Sequence, residues 1–578
     1  MKLLNTKLND KVIFLLCSIL YVLIQSYSIR TVLGSSIFSI IILINLCIYS
    51  SLLYVNELKH GKIKKEKITK TIVISLIIVL FNIICIYFVF NGHLQAERFT
   101  RLFSVIECIL NSLVFFVFYA MSIWKSDLRR IFMICLVTLG SVMMICMPIG
   151  AIPDEPQHMR WTYSVSNIIM NKNTIREDDY LVNQHDYWTG SYQDIGKYEI
   201  YLHDLVAPLS TKNEIQVSFP KPSFFGYVYI VPALGFSVGR LFGLGTGLTL
   251  LLGRIANFIV FCLIINKSIK LIPVGKEALF TYCLLPMTLH QAISISYDSI
   301  LFALSAYCIC FSIKTIYDNR TDLNKHEFFK NVLKSLFVFI FIFGIKSHAY
   351  MLIGILPLLV TVLIRYENII VKKSTMIKKL ILCGLLILCS GYIVFYLLGF
   401  AVRMYHPTII DQFGTITPEE SYSVSYMLAF PVNSFKMLFR TLIISSQWYI
   451  ETMIGKQLGW LNLMMPEQLI IIFIIILLLS GIRRPSENVS CLRFSGIFLI
   501  IFALTIANII CGMAIAWTPI SSSIVQGVQG RYFSPILLIP LILEKKMPIR
   551  ITSINSDGFI LALTIVSTFS LQYLLIRL

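Results

Sequence analysis

The chain has 578 residues, of which 57% are hydrophobic and only 14% charged, whereas soluble domains carry roughly 25% charge. A soluble protein of this length would divide into domains joined by polar linkers, and none is apparent. The net charge of +19 lies in short segments between apolar stretches rather than on one patch, which excludes nucleic acid as a partner.

Apolar stretches of about 16–25 residues recur along the chain, the length that crosses roughly 30 Å of hydrocarbon. Backbone groups inside lipid must bond within their own segment, so these stretches are helices. Spans are predicted near 11–29, 32–55, 71–91, 102–124, 130–150, 249–266, 277–294 and 299–316. Others follow near 332–347, 349–366, 379–402, 467–482, 494–517, 532–545 and 556–576. The fold class is therefore all-α, a polytopic transmembrane protein of about 14–15 spans with one large polar loop after the fifth. Residues 1–129 form an N-terminal transmembrane module, 130–550 a core, and 551–578 a C-terminal transmembrane helix. The first apolar stretch has no small-residue cleavage site and a second span follows at once, so no cleavable leader is expected.

Short basic loops set the orientation. Lys2, Lys7 and Lys11 precede the first span, Lys59 to Lys70 fill the second loop, and Lys125, Arg129 and Arg130 fill the fourth. This places a multi-pass protein in the cell membrane with its N-terminus cytoplasmic and loop 151–222 extracytoplasmic. The loop agrees, with ten acids against six Lys and Arg. To keep later basic loops inside, the apolar stretch 224–243, interrupted by Pro232 and several glycines, must be re-entrant or interfacial. The fourteen cysteines lie almost all within spans and none in the large loop, without metal-site spacing. They read as small packing residues.

Loop 151–222 carries Trp161, Tyr163, Tyr187, Trp188 and Tyr192, and a second outer region, 403–466, carries Trp448, Tyr449, Glu451 and Trp460. Within the latter, 434–450 has the pattern of an amphipathic helix lying in the interface.

Four constellations map to the outer face. Pro153-Asp154-Glu155-Pro156-Gln157-His158 follows the fifth span. Asp154 suits a helix N-cap and equally a general base for a hydroxyl, and His158 shares its helical face. Ser296-Tyr297-Asp298-Ser299 puts a carboxylate at the membrane plane, where it is expensive unless it caps a helix or serves function. Lys346-Ser347-His348 and Gln526 to Phe533, with Arg531, each put a cation on the side that the basic-loop rule disfavours. A carboxylate partner would explain either cation, and so would a phosphate, which arginine matches with a fork of donors. Together, carboxylates and cations on one face suit a site where a base deprotonates a hydroxyl while cations hold a departing phosphate.

The order Pro153-Asp154-Glu155 with His158, Tyr297-Asp298, Lys346, Gly459-Trp460-Leu461 with Pro466, and Gln529-Gly530-Arg531-Tyr532 resembles a bacterial multi-span family, domain of unknown function 2142, over about residues 130–550. Its members are similar in layout to GT-C glycosyltransferases, which use polyprenyl-phosphate sugars. The resemblance implies Asp154 or Glu155 as the catalytic carboxylate. With the reading of the residues, the expected catalytic group is Asp154, Glu155 and His158, and the expected substrate-binding group is Asp298, Lys346, His348, Trp460, Gln529, Arg531 and Tyr532. A divalent cation, if one is used, would fall to Asp154 and Glu155, and no other cofactor is expected. The implied partners are a polyprenyl-phosphate-linked sugar, a glycan acceptor and membrane lipid. One departure stands out: in GT-C enzymes the acidic loop follows the first span, and here it follows the fifth. The alternatives are a polysaccharide polymerase or ligase, a transporter or flippase, for which Glu107 and Arg254 near spans would serve, and a non-enzymatic glycan sensor.

Overall fold

The structure, a computed structural model, describes residues 127–172, 197–208, 224–318, 325–345, 349–372, 422–485, 487–489, 494–547 and 556–577, with Tyr187 and scattered residues between 106 and 117. The expected spans at 11–29, 32–55, 71–91 and 379–402, most of 102–124, and with them Glu107, Trp188, Tyr192, Lys346 and His348, lie outside these residues.

Long runs of Leu, Ile, Val and Phe leave the backbone no polar partner but itself, and helix results. The principal helices are α1 (Leu128–Cys146), α2 (Glu155–Ile169), α3 (Ile230–Leu241), α4 (Thr246–Leu271), α5 (Lys276–Leu284), α6 (Pro286–Ala292) and α7 (Asp298–Asp318). Next come α8 (Lys325–Phe343), α9 (Met351–Lys372), α10 (Pro431–Ile454), α11 (Glu467–Gly481), α12 (Ser495–Trp517), α13 (Leu538–Glu544) and α14 (Ser556–Arg577). The only strands among the described residues are Gln457–Leu458 (β1) and Leu463–Met464 (β2), an antiparallel pair.

Among the described residues five helices are long and apolar enough to cross a membrane: α1, α4, α7, α12 and the Gly558–Leu575 part of α14. Their surroundings differ. In α7, 89% of the apolar window is buried, against 33% in α12, so α7 is the central post and α12 a peripheral one. α7 packs on α4, α9 and the 3-10 segment Gly530–Ile536. Phe132 of α1 stacks on Phe280 of α5 with ring centroids 4.1 Å apart.

Two expected spans are broken. The stretch 277–294 divides into α5 and α6 at Leu285, extended at φ −59°, ψ 139°. Pro286 dictates this, because its ring drives the preceding residue out of helical geometry. The stretch 532–545 divides into the 3-10 segment, with Pro535 inside it, and α13. The segment 224–243 is a 3-10 turn, Phe224–Tyr229, followed by the twelve residues of α3, which reach only about 18 Å. α3 lies against α4 through small residues: a Cβ on Gly235 would strike the Leu252 carbonyl, and one on Gly253 the Phe236 ring. Of 403–466, the described part is largely helical, and α10 covers the expected amphipathic stretch. It exposes Phe435, Phe439, Ile443 and Ile450, a face suited to lipid.

The two ends of the bundle differ in chemistry. At one end Arg484 pairs with Glu277 at 2.9 Å and Lys545 with Glu487 at 2.9 Å. There Ser556 Oγ also donates to Glu277 at 2.8 Å. α4 and α7 run towards this end from the other, and antiparallel α1 is tied to α4 by Arg129 Nε donating to Asn266 Oδ1 at 2.9 Å. Asp154, Asp298 and Arg531 collect at the opposite end.

Candidate functional site

The site starts where α1 stops. Gly150 turns the chain at φ 88°, and Asp154 turns it again at φ 66° before α2 begins. A left-handed residue other than glycine costs roughly 1–2 kcal/mol, and Asp is among the side chains that adopt this conformation most readily. This turn separates two neighbouring carboxylates. With Asp154 left-handed before the helix and Glu155 at its first position, Glu155 faces inward while Asp154 faces the open end.

Glu155 is fully enclosed and meets an equally enclosed Arg254 from α4. Arg254 Nε donates to Glu155 Oε1 at 2.9 Å and Nη2 to Oε2 at 2.6 Å, a two-pronged pair. The carboxylate also accepts from the Gly150 amide at 2.8 Å and the Ile295 amide at 3.0 Å. Arg254 further donates to the carbonyls of Met147 and Pro148. Both carboxylate oxygens accept two hydrogen bonds each and four of the five guanidinium donors are engaged, and the pair clamps the α1–α2 turn onto α4 and the approach to α7.

Asp154 occupies the N-cap position of α2 but makes no side-chain cap bond. Its carboxylate accepts from Arg531 Nη2 instead. The Asp154 side chain is 49% exposed while that of Arg531 is 3% exposed. Arg531 Nη1 donates to the Pro153 carbonyl at 3.1 Å. Burial alone would lower the Arg531 pKa, but Tyr532, Asp154 and Asp298 outweigh it and the guanidinium is held above its ordinary value. It is a permanent buried cation with one wet anion in front of it.

Asp298 is also buried, at the first position of α7, and its amide donates to Ser296 Oγ at 3.1 Å. The Ser296 hydroxyl thus serves the helix start. Around this group stands an aromatic wall. His158 Nδ1 and the Tyr229 hydroxyl are 2.8 Å apart, and the His158 ring meets Tyr297 edge-on at 4.7 Å. Trp161 stacks on Tyr229 with centroids 6.4 Å apart. Burial, with the Asp298 and Asp154 charges adding, pushes the Tyr229 phenol far above its ordinary value, so it stays neutral. The Tyr350 hydroxyl donates to the Tyr532 carbonyl at 2.8 Å, fixing the 3-10 segment to the start of α9.

Behind Arg531 a small cavity is lined by His290, Gln291, Trp448, Gln457 and Gln529. Gln291, Gln457 and Gln529 each bury an amide oxygen with no hydrogen bond, and Arg531 Nε is in the same condition. The hairpin closes the cavity, its Gly459 amide donating to His290 Nε2 at 3.2 Å. Gly530 packs so tightly on α10 that a Cβ there would collide with the Tyr449 carbonyl.

Asp154, Asp298, Arg531 and Tyr532 thus meet, His158 joins them through Tyr229 and Tyr297, and Gln529 lies beside Arg531. Trp460 sits half-buried in the hairpin loop and does not line the cavity, although Gly459 and Leu461 do. Lys346 and His348 fall outside the described residues. Among the described residues no three His, Cys, Asp or Glu side chains are grouped to hold a metal. The expected pair does not fit a divalent cation either, since Asp154 is taken by Arg531 and Glu155 by Arg254.

Sequence reasoning did not find Tyr229, His290 or Gln291. Tyr229 lies in an aromatic run, Phe224-Phe225-Gly226-Tyr227-Val228-Tyr229, where nothing distinguishes it. Arg254 could have been linked to a carboxylate, because a lone guanidinium within an apolar helix demands a partner.

No curated protein and no solved structure matches the chain. A family model described as "Predicted membrane protein (DUF2142)" matches residues 135–540, more than half of the chain and every described residue of this site, and the chain therefore belongs to that family.

Proposed function

We propose that the chain is an integral membrane glycosyltransferase of GT-C type. It would move a sugar from a polyprenyl-phosphate donor to a cell-envelope glycan or lipid-linked acceptor on the extracytoplasmic face. The observation that carries this reading is the pairing of a half-exposed Asp154 carboxylate with a buried Arg531 guanidinium. A base and a phosphate-binding cation then stand one hydrogen bond apart at the end of a membrane bundle.

In the proposed reaction the acceptor hydroxyl gives its proton to Asp154 as its oxygen attacks the anomeric carbon. The bond from that carbon to the phosphate oxygen breaks, and the leaving phosphate carries its electron pair to Arg531. Before the donor arrives, Arg531 occupies Asp154. Phosphate competing for the same guanidinium frees the carboxylate to act as base, so donor binding and base activation are one event. Inversion follows from the single displacement. His158, held by Tyr229, orients the acceptor, and Asp298 keeps Arg531 charged. Tyr532 and Gln529 flank the phosphate, Trp460 offers a ring face to the sugar, and Lys346 with His348 supplies further donor contacts. In this reading Glu155 holds the α1–α2 turn through Arg254 and leaves the proton transfer to Asp154.

Of the two charges near spans that a transporter would use, Glu107 and Arg254, Arg254 is enclosed with Glu155, which supports the transferase over transport. A polymerase or ligase would use the same chemistry on a long lipid-linked donor, and the donor that accumulates when the protein is removed distinguishes the two. The test is transfer of radiolabelled sugar from a panel of polyprenyl-phosphate sugars by purified protein and its Asp154→Asn variant. Label entering acceptor with the parent alone is expected. Equal transfer by both would remove Asp154 from the reaction, and no transfer from any donor would overturn the enzyme.

A further inference from the structure

A groove of about 730 Å³ lies between α3, α4, α7 and α8, running from Val228 and Ile300 near the carboxylate end to Lys267 and Lys334 at the other. That volume is in the range of small-molecule sites, about 300–1,000 Å³. Val231, Leu263, Ile264, Leu304 and Phe337 are among its walls. Its Tyr227 hydroxyl is already engaged, donating to the Ile340 carbonyl at 2.6 Å. A polar ligand therefore has little to bond along its length.

Two lysines, Lys267 and Lys334, also line the groove. Lys267 lies in the last turns of α4, near the end of the bundle that carries the Glu277–Arg484 and Glu487–Lys545 pairs. Lys330 is one helical turn from Lys334, which feels the charges of both Lys330 and Lys267. All three residues are exposed. None forms an ion pair with a described residue, and the contact recorded for Lys334 is with the Phe311 ring at 5.8 Å. Three mutually repelling cations beside an apolar groove complement a molecule with an anionic head and a hydrocarbon tail. In a bilayer the tail gains little by leaving lipid for a protein groove, so selectivity resides in the head.

We propose that this groove binds one anionic glycerophospholipid of the cytoplasmic leaflet, an acyl chain along α4 and α8 and the phosphate on Lys267 and Lys334. Each lysine near an anionic headgroup is worth about fivefold in affinity, so the pair gives roughly a 25-fold preference over a zwitterionic lipid. The headgroup contacts of this lipid, on Lys267 and Lys334, lie at the end of the groove remote from Asp154.

The test is native mass spectrometry of the full chain released from detergent and titrated with phosphatidylglycerol or phosphatidylcholine of identical chains. A one-to-one phosphatidylglycerol adduct, at least about tenfold tighter than phosphatidylcholine, is expected. Lys267→Gln with Lys334→Gln lowers phosphatidylglycerol to the phosphatidylcholine level, whereas Lys546→Gln, at a lysine bonded to Ser495, leaves the preference intact. Leu263→Trp, which fills the groove from its exposed wall, weakens both lipids. It also carries the test if the double lysine variant fails to fold. Equal binding of the two lipids, or an unchanged preference in the double lysine variant, overturns the site. So does displacement by glycerol 3-phosphate, which would show a phosphate site without a tail. Preferential binding of polyprenyl phosphate at the same lysines would reassign the groove to the donor lipid and also overturn it.

Discussion

Replacing Glu155 by Gln keeps the shape of the side chain and removes its charge, which isolates what the clamp does. Both members of the pair are fully enclosed, so water cannot take over for the lost carboxylate. The variant amide has one acceptor oxygen for the four donors that now converge, from Arg254 Nε and Nη2 and the amides of Gly150 and Ile295. Breaking one side of a buried ion pair in this way costs about 3–5 kcal/mol. At roughly 2 °C per kcal/mol for a large domain, the melting temperature should fall by about 6–10 °C. Thermal unfolding in detergent, followed by tryptophan fluorescence, measures this. Adding Arg254→Met removes the orphaned cation and should recover at least half of the loss, a coupling that independent sites do not show. A Glu155→Gln variant that melts within 2 °C of the parent would refute the clamp, and if it were also inactive in transfer, Glu155 would return to the catalytic group.

Asp154→Asn should act in the opposite sense, lowering transfer at least about a hundredfold with a smaller change in melting than Glu155→Gln, since its side chain is half in water. Arg531→Lys keeps the charge but loses the fork shared by Asp154 and Pro153, so donor KM should rise and transfer fall together in a steady-state assay. Gly530→Ala drives a methyl into the Tyr449 carbonyl and should cost about 1–3 kcal/mol, whereas Gly496→Ala, where a Cβ meets nothing, should be neutral or stabilising by melting. Hydrogen bonds from Lys456 and then Gln447 hold the Glu451 carboxyl below the ordinary value of 4.5. A depressed carboxylate stabilises above its unfolded pKa and loses that contribution as pH falls through the folded one. The pair is worth at most about 1 kcal/mol. The melting difference between parent and Lys456→Met should therefore be steady from pH 6 to 8 and fade below about pH 4.

Apolar run length was enough to place α1, α4, α7, α12 and α14, because nothing but helix satisfies a backbone in hydrocarbon. It could not show the breaks at Pro286 and Pro535, since a hydropathy window weighs side chains and not missing amides. Those breaks matter, because they let His290, Gln291 and Arg531 come together. The meeting of Asp154 with Arg531, 377 residues apart, was legible only as two charges expected on one face. Asp154 and Glu155 looked equivalent by residue type, and backbone direction alone separates them. The Tyr229 contact to His158 depends on how a 3-10 turn lies across α2, a matter of packing that leaves no local pattern.

The Glu155–Arg254 clamp also bears on how the protein is made. Helices enter the bilayer from the N-terminal side as they are synthesised, and an arginine within an apolar helix opposes insertion, by up to about 2.5–3.5 kcal/mol at the helix centre and less towards an end. Its carboxylate lies 99 residues earlier in the chain, so the anion is waiting when α4 arrives. A chain in which residues 150–160 have not yet settled has no carboxylate to offer Arg254, so α4 meets its insertion cost without compensation until they do.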